Sequence, residues 1–224
     1  LSPQDRCLNM MPLFHIHGLV GAVASTLCSG GSVICAPGFA PDQVMNWLVD
    51  LHPTWYTAVP SMHHAILEAA AREPEKREHV HLRFIRSCSS SLPPILADKL
   101  EQEFSVPVLE AYGMTEAAHQ MASNPLPPGL NKHGSVGSAT GTTSIAILDA
   151  AGNPLPTGQV DEICIRGENV IRGYEANPDA NRSNFVNGWL RTGDLGYLDP
   201  DGYLFIQGRV KEQINRGGEK ISPR

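Results

Sequence analysis

Residues 106–116 read VPVLEAYGMTE, a short apolar run followed at once by small, polar and aromatic residues. The apolar start at 106–109 is typical of a buried strand. The residues after it include a phenol, a glycine, a hydroxyl and two carboxylates. Ligands of open α/β sheets bind where parallel strands end, so we predict that 110–116 is a loop of a binding site.

The residues before this stretch alternate between short apolar runs and segments with helical spacing. Strands are predicted at 33–35, 55–59, 84–85 and 106–109. Helices are predicted after Pro41, at 61–71 with Ser61 as the cap, and at 93–104. This order is typical of a parallel sheet, so residues 1–124 are assigned to an α/β subdomain.

The sequence changes character at residues 125–129, PLPPG, which break regular structure. Strands predicted at 144–148, 160–166 and 203–207 follow, separated by turns rich in Gly, Asn, Asp and Pro. We therefore expect a β-rich subdomain over 125–208, with antiparallel strands.

Composition excludes several classes of protein. The chain has 224 residues, 42% hydrophobic and 18% charged, with a net charge of −6 that argues against nucleic acid as a partner. No apolar run approaches the roughly 18 residues of a membrane span, and residues 1–6 do not resemble a signal peptide. Five cysteines without a CxxC pair favour reduced thiols, hence an intracellular protein.

Two further segments place polar residues after predicted strands. Residues 86–91, RSCSSS, could bring hydroxyls and backbone amides close to an anion, although alone they are explained more simply as a Ser-rich turn that caps a helix. Residues 192–194 and 208–212 read TGD and GRVKE. Asp194 could accept from two ribose hydroxyls and Arg209 could reach a phosphate; singly, each also fits a surface turn or a salt bridge.

Taken in order, these segments resemble the motifs of the adenylate-forming superfamily, which comprises acyl-CoA synthetases, luciferases and peptide-synthetase adenylation domains. The matching stretches are PLFH at 12–15, YGMTE at 112–116, GWLRTGD at 188–194, GRVKE at 208–212 and GGEKISP at 217–223. Within the superfamily, FHIHG at 14–18, AYGMTEAAHQM at 111–121 and NPLPP at 124–128 look most like oxalate–CoA ligases. Ligases for 4-coumarate are more distant.

The resemblance implies a fold and a nucleotide site. The chain would be the C-terminal part of the family's large domain, with an AMP-binding α/β subdomain at 1–124, a β-rich subdomain at 125–208, and the start of a small mobile domain at 209–224. The residues implied at the adenine are Ser89, Ser90, Glu110, Ala111, Tyr112, Gly113 and Met114. Thr115 would bind the α-phosphate, Glu116 Mg²⁺, Asp194 the ribose, and Arg209 the ribose-phosphate side.

The resemblance also implies a two-step reaction. A carboxylic acid and ATP would form an acyl-adenylate, and coenzyme A would then displace AMP to give a thioester. Lys211 matches the hinge about which the small domain rotates between the steps. Rotation would bring Gly217, Gly218 and Lys220 to the acyl and CoA side.

The substrate acid is predicted from polar residues near the implied site. His15 matches the position beside the substrate carboxylate, while His17, Ser89 and His119 would add hydrogen-bond donors. A small dianion such as oxalate needs such donors, whereas 4-coumarate or a medium-chain fatty acid needs an apolar tunnel. A metal site on His15 and His17 is disfavoured because further ligands are missing nearby. The histidines at 63, 64, 79 and 81 are assigned to packing or the surface.

Two family elements are expected outside these residues, namely the loop that holds the β- and γ-phosphates and the catalytic lysine of the small domain. We therefore expect residues 1–224 alone to be inactive, and a non-catalytic adenylate-binding module is the alternative for them. The whole protein is expected in the cytosol or the peroxisome. The sequence predicts no oligomeric state.

Overall fold

Seven strands form the sheet that carries the first half of the chain. The computed structural model describes residues 1–212 in full and, beyond them, the strands β13 (Ile214–Arg216) and β14 (Glu219–Ile221), which pair with each other. The sheet order is β2-β1-β3-β4-β5-β6-β7. Its strands are β1 (Arg6–Asn9), β2 (Ser32–Cys35), β3 (Trp55–Ala58), β4 (Phe84–Ser87), β5 (Val108–Met114), β6 (His119–Ser123) and β7 (Ser138–Ala139).

The strands β1 to β5 are parallel, as predicted for β2 to β5, whereas β1 was not predicted; β6 and β7 are antiparallel. Helical segments connect the parallel strands. They are a π-helix (His17–Ala24), α1 (Ser25–Cys28), α2 (Val44–Asp50), α3 (Pro60–Arg72), α4 (Pro74–Arg77) and α5 (Pro94–Phe104). The core between α2, α3, α5 and the sheet includes Leu8, Leu48, Tyr56, Ile66 and Leu100, all fully buried.

Two predictions of local structure were wrong. Helix α3 starts at Pro60 after an extended Val59, with no side-chain cap, so Ser61 lies inside its first turn. Proline favours the first helical position because it has no N–H to leave unpaired, and this sets the start. The residues 110–114 are not a loop, because β5 continues through Met114 by pairing with β6.

The second sheet is antiparallel, as predicted. Its strands are β8 (Ser144–Leu148), β9 (Asp161–Arg166), β10 (Phe185–Val186), β11 (Trp189–Leu198) and β12 (Leu204–Arg209), with α6 (Pro178–Asn184) before β10. The order is β10-β11-β9-β8, and β12 also pairs with β11. Its core includes Ile147, Ile163, Ile165, Leu190 and Leu204, together with Met121 and Ala122 from β6.

The two sheets meet along a continuous seam. The first sheet passes the predicted boundary after Asn124 and extends to β7. Leu204 of β12 accepts a backbone hydrogen bond from Val136 at 3.0 Å and donates one to Gly137 at 2.8 Å. The first sheet thus includes the strand β7 from the region 125–208, and the boundaries 1–124, 125–208 and 209–224 stay predictions.

Candidate functional site

A cavity of about 430 Å³ opens between the two sheets, at the carboxyl end of β5. Residues from both sheets line it: Ser89, Ser90, Ser91, Glu110, Ala111, Tyr112, Gly113, Met114, Gly134, Val136, Thr192, Asp194, Ile206, Gly208, Arg209 and Glu212. We call it the seam cavity. It brings together all the residues assigned to the adenine and ribose from the sequence.

Tyr112, Asp194 and Arg209 form a connected cluster in this cavity. The buried Tyr112 hydroxyl donates to Oδ2 of Asp194, and Nε of Arg209 donates to Oδ1 at 3.0 Å. Burial, reinforced by the Asp194 carboxylate, raises the pKa of Tyr112 well above its usual value. The phenol therefore remains a donor, and the carboxylate is held in place from both sides.

Asp194 lies within β11, so the surface turn that was the alternative interpretation of this residue is wrong. The register of β11 against β9 shifts between Arg191 and Leu195. Thr192 donates to the carbonyl of Ile163 at 2.8 Å and accepts from the Asp194 N–H at 3.1 Å. Gly193 has a φ of +75°, which is easy only for glycine. This distortion of the strand aims Asp194 at the cavity.

Thr115 and Glu116 lie in a 3₁₀ turn (Thr115–Ala117) directly after β5. Thr115 is exposed, while Glu116 is half-buried and accepts from the Tyr174 hydroxyl at 3.1 Å. Burial and the Glu116 carboxylate raise the pKa of Tyr174. Sequence reasoning missed Tyr174, because a lone tyrosine 58 residues from its partner leaves no local pattern.

A single carboxylate suits Mg²⁺, which is commonly held by one or two carboxylates together with phosphates and water. Glu116 is such a carboxylate. In residues 1–212, no group of three or more His, Cys, Asp or Glu side chains is placed to enclose a metal. Glu116 follows β5 but does not line the seam cavity, and its role as a Mg²⁺ ligand stays a prediction.

The serine segment 87–91 is shaped by contacts and not by helix capping. Helix α5 begins after Pro93 without a side-chain cap, so the capping explanation is wrong. Oε1 of Glu110 accepts from the Leu92 N–H at 2.8 Å and fixes the end of the segment. Ser89 has a φ of +72°, and its hydroxyl is 3.0 Å from Nδ1 of His17. A strained serine held in this way is typical of a functional position.

Two buried imidazoles lie behind Ser89. The ring centroids of His17 and His119 are 5.6 Å apart, and Nε2 of His17 is 2.6 Å from the Thr57 hydroxyl. Nε2 of His119 is 3.9 Å from Sγ of Cys88. Burial, with a smaller contribution from the charge of Arg86, lowers the pKa of both imidazoles to about 3, so both are neutral near pH 7.

The predicted substrate residues are placed differently from one another. Ser89 lines the seam cavity, whereas His119 lines a second cavity of about 360 Å³ with Arg86 and Gln120. His15 is exposed, and its Nδ1 accepts from the backbone N–H of His17 at 3.1 Å. Arg86 was not predicted, although an arginine within the short strand β4 is the signal that could have identified it.

The remaining predicted residues lie outside the seam cavity or outside the described residues. Lys211 is exposed in a 3₁₀ turn (Val210–Glu212) and does not line the cavity. Gly217, Gly218 and the side chain of Lys220 fall outside the residues that the structure describes. His63 is buried against Tyr56, while His64, His79 and His81 are exposed, in line with packing and surface roles.

Comparison with known proteins identifies the family. The AMP-binding enzyme family matches residues 1–175. The chain belongs to this family. It is 51% identical to an oxalate–CoA ligase of Saccharomyces cerevisiae and 49% identical to one of Arabidopsis thaliana. These alignments cover 100% of this chain and 40% and 44% of those proteins.

More distant relatives and solved structures agree in fold. A sulfoacetate–CoA ligase of Cupriavidus necator is 43% identical over 100% of the chain and 43% of its own length. ATP-bound MatB from Rhodopseudomonas palustris is 33% identical with a TM-score of 0.90, over 99% of this chain and 43% of that one. This AMP-binding family chain thus spans about two fifths of the length of its curated relatives, with the α/β fold of the superfamily.

Proposed function

We propose that the whole protein is an AMP-forming acid–CoA ligase and that its acid is oxalate. One observation carries the proposal: Tyr112, Asp194 and Arg209 are joined at a cavity that all the adenine-site and ribose-site candidates share, in a chain of the AMP-binding family. The oxalate–CoA ligases that are 51% and 49% identical to this chain in sequence support the choice of oxalate.

The first half-reaction would take place at the mouth of the seam cavity. A carboxylate oxygen of the acid bonds to the α-phosphorus of ATP while the bond to pyrophosphate breaks, giving an acyl-adenylate. Such phosphoryl chemistry depends on positioning and charge stabilisation. The exposed Thr115 hydroxyl would donate to an α-phosphate oxygen. Mg²⁺, held by Glu116, would neutralise charge on the phosphates.

Asp194 would hold the ribose. Each carboxylate oxygen accepts about two hydrogen bonds, so an oxygen that already accepts from Tyr112 or Arg209 retains capacity for a ribose hydroxyl. The second half-reaction would consume the acyl-adenylate. The CoA sulfur bonds to the acyl carbon, its proton leaves, and AMP departs with the bonding electrons.

The surroundings of Ser89 support a small anionic acid. Behind its hydroxyl lie three polar or charged residues, His17, Thr57 and Arg86. A ligase for 4-coumarate or a fatty acid would instead need an apolar tunnel for its substrate. The Ser89 hydroxyl and the neutral imidazole of His119 can donate to a distal carboxylate. Sulfoacetate is the second candidate, because one relative is a sulfoacetate–CoA ligase and this acid is also small and doubly charged.

The experiment is an acid panel on the full-length protein, measured by ATP–pyrophosphate exchange and by thioester formation. We expect oxalate to have the highest kcat/KM among oxalate, sulfoacetate, malonate, 4-coumarate and octanoate. Asp194→Asn should raise the KM for ATP, and His119→Ala should impair oxalate turnover far more than ATP binding. Equal activity with every acid would refute the oxalate assignment, and no exchange with any acid would refute the ligase.

Two further proposals concern the activity of residues 1–224 alone and the location of the whole protein in the cell. The isolated 224-residue chain should bind AMP weakly and give no ATP–pyrophosphate exchange, and measurable exchange would contradict this.

All five cysteines are free thiols, which supports a reducing compartment, the cytosol or the peroxisome. Imaging of the tagged full-length protein would test this. In residues 1–212, no helix is long and apolar enough to cross a membrane.

A further inference from the structure

Arg86 is a buried cation whose hydrogen-bond partners are neutral. The residue is 6% exposed, and in the described part of the chain it forms no ion pair. One terminal nitrogen donates to the Thr57 hydroxyl at 3.3 Å and the other to Oε1 of Gln120 at 2.9 Å. Because a guanidinium has donors only, the direction of both hydrogen bonds is fixed.

Arg86 therefore determines how the Thr57 hydroxyl is used. Thr57 is fully buried, and its described side-chain partners are Arg86 and Nε2 of His17, the latter at 2.6 Å. The hydroxyl oxygen accepts from Arg86, so its one proton goes to Nε2 of His17. The opposite arrangement would leave a buried hydroxyl proton without an acceptor, which is costly.

The direction continues through the imidazole. Burial keeps His17 neutral, so it carries one ring proton. With Nε2 accepting from Thr57, that proton is on Nδ1, which faces the Ser89 hydroxyl at 3.0 Å. The Ser89 oxygen then accepts from His17, and the Ser89 O–H is free to point into the seam cavity that Ser89 lines.

We propose that Arg86 and Thr57 are positioning residues that hold His17 as its Nδ1–H tautomer and thereby make Ser89 a hydrogen-bond donor into the seam cavity, toward an anionic oxygen of the acid. The identity of that acid rests on the proposed function, whereas the direction of the Arg86–Thr57–His17–Ser89 chain does not. The positive φ of Ser89 fits this role, because backbone strain is commonly found where a side chain is held for function.

The direct test is solid-state NMR on full-length protein carrying ¹³C,¹⁵N-histidine, with His17 assigned by its loss in His17→Gln. The protonated ring nitrogen of His17 should be the one bonded to Cγ, which is Nδ1. In Thr57→Val and Arg86→Met, the Nε2–H tautomer should become detectable. Thr57→Ser keeps the hydroxyl and should retain the wild-type spectrum. Protonation at Nε2 in the unmodified protein would overturn the proposal.

Kinetics provides the second readout. Thr57→Val and Arg86→Met should raise the KM for oxalate about 10-fold or more, with the KM for ATP unchanged, and Thr57→Ser should stay near wild type. Thr26→Val is the matched control, since Thr26 is equally buried but donates to the carbonyl of Ala22 at 2.6 Å, outside the chain of contacts. Equal changes in the KM for both substrates, or a Thr26→Val effect as large as that of Thr57→Val, would overturn the proposal.

The two proposals fail separately. If the acid panel excludes oxalate while the NMR spectrum shows Nδ1–H in His17, the proposed substrate is wrong and the positioning role stands. If oxalate is the substrate and His17 is protonated at Nε2, the positioning role is wrong and the proposed function stands.

Discussion

The hydroxyl of Tyr112 donates to the carboxylate of Asp194, and this contact joins residues that are 82 positions apart in the sequence. Tyr112 lies on β5 of the first sheet and Asp194 on β11 of the second. The contact thus crosses the seam between the sheets at the cavity itself. It makes the geometry of the site depend on the docking of the two sheets.

Removal of that hydroxyl should cost stability without opening the cavity. Tyr112→Phe keeps the ring but deprives a largely buried carboxylate of one donor, so the free energy of unfolding should fall by about 2 kcal/mol. Urea denaturation followed by fluorescence measures this. Tyr203→Phe is the control, because its hydroxyl donates to Leu130 at an exposed site. A loss no larger than that of Tyr203→Phe would contradict the prediction.

Gly113→Ala should be severely destabilising because the added methyl group has no space. A Cβ at this position would lie 1.8 Å from the carbonyl oxygen of His119 on the paired strand β6. Because that neighbour is backbone, relief requires separating the strands, and we expect a loss of about 3 kcal/mol or more. Thermal unfolding would measure it.

Gly141→Ala separates crowding from backbone strain. Gly141 has a φ of +59°, but a Cβ added there would have no heavy atom of the described residues within 4 Å beyond its chain neighbours. Only backbone strain should therefore appear, about 1 kcal/mol. If the two glycine variants lose equal stability, crowding between β5 and β6 is not the cause.

If the whole protein is the proposed ligase, Gly21→Ala should weaken the binding of the acid. The added Cβ would lie 2.7 Å from Cε1 of the His119 ring and must displace it. We expect a several-fold increase in the KM for the acid and an unchanged KM for ATP in steady-state assays. In a double-mutant cycle, Gly21→Ala should have no further effect once His119→Ala has removed the ring. Additive effects would show that the displacement acts elsewhere.

Acid should destabilise the protein in a defined pH window. Burial lowers the pKa of His17, His63 and His119 to about 3, against about 6.5 in the unfolded chain. Between these values the unfolded chain binds more protons, so the free energy of unfolding falls as pH falls below about 6.5 and is level above it. Each imidazole should contribute about 2 kcal/mol between pH 7 and pH 5.

Urea unfolding at pH 7.5, 6.5 and 5.5 measures this dependence. His63→Phe removes one buried imidazole and should make the dependence shallower by about a third. Hydrogen bonds, chiefly from Arg83, outweigh burial and lower the pKa of the Asp5 carboxyl to about 2. Protonation of Asp5 therefore weakens the fold only below about pH 4, outside this window. An unchanged slope in His63→Phe would show that the buried imidazoles are not responsible.

The parallel sheet and the grouping of the adenine-site candidates at one cavity were predictable because their signals are local. An apolar run followed by polar residues, as at 106–116, marks the end of a strand, and several such ends share one sheet edge. Asp194 and Arg209 were candidates for the same reason, since each lies within a short motif, and both line that cavity. The extent of β5 was not predictable, because it depends on pairing with β6 after a turn that the sequence does not mark.

The polar contacts behind the cavity were harder to predict. Arg86, Thr57 and Tyr174 come from separate elements, and their side chains meet the site only through the packing of the fold. The sequence placed His15, His17 and His119 near one substrate, but it could not show that His17 and His119 are buried while His15 is exposed. Burial of a polar residue depends on neighbours that are distant in sequence, and no local sequence periodicity indicates it.

The backbone hydrogen bonds of Leu204 to Val136 and Gly137 have a consequence for how the fold is lost. Leu204 is also a fully buried residue of the second core, so β12 cannot detach without breaking both the seam and that core. Opening one sheet exposes apolar surface of the other. We therefore expect the two sheets to unfold together, in one transition with no half-folded intermediate.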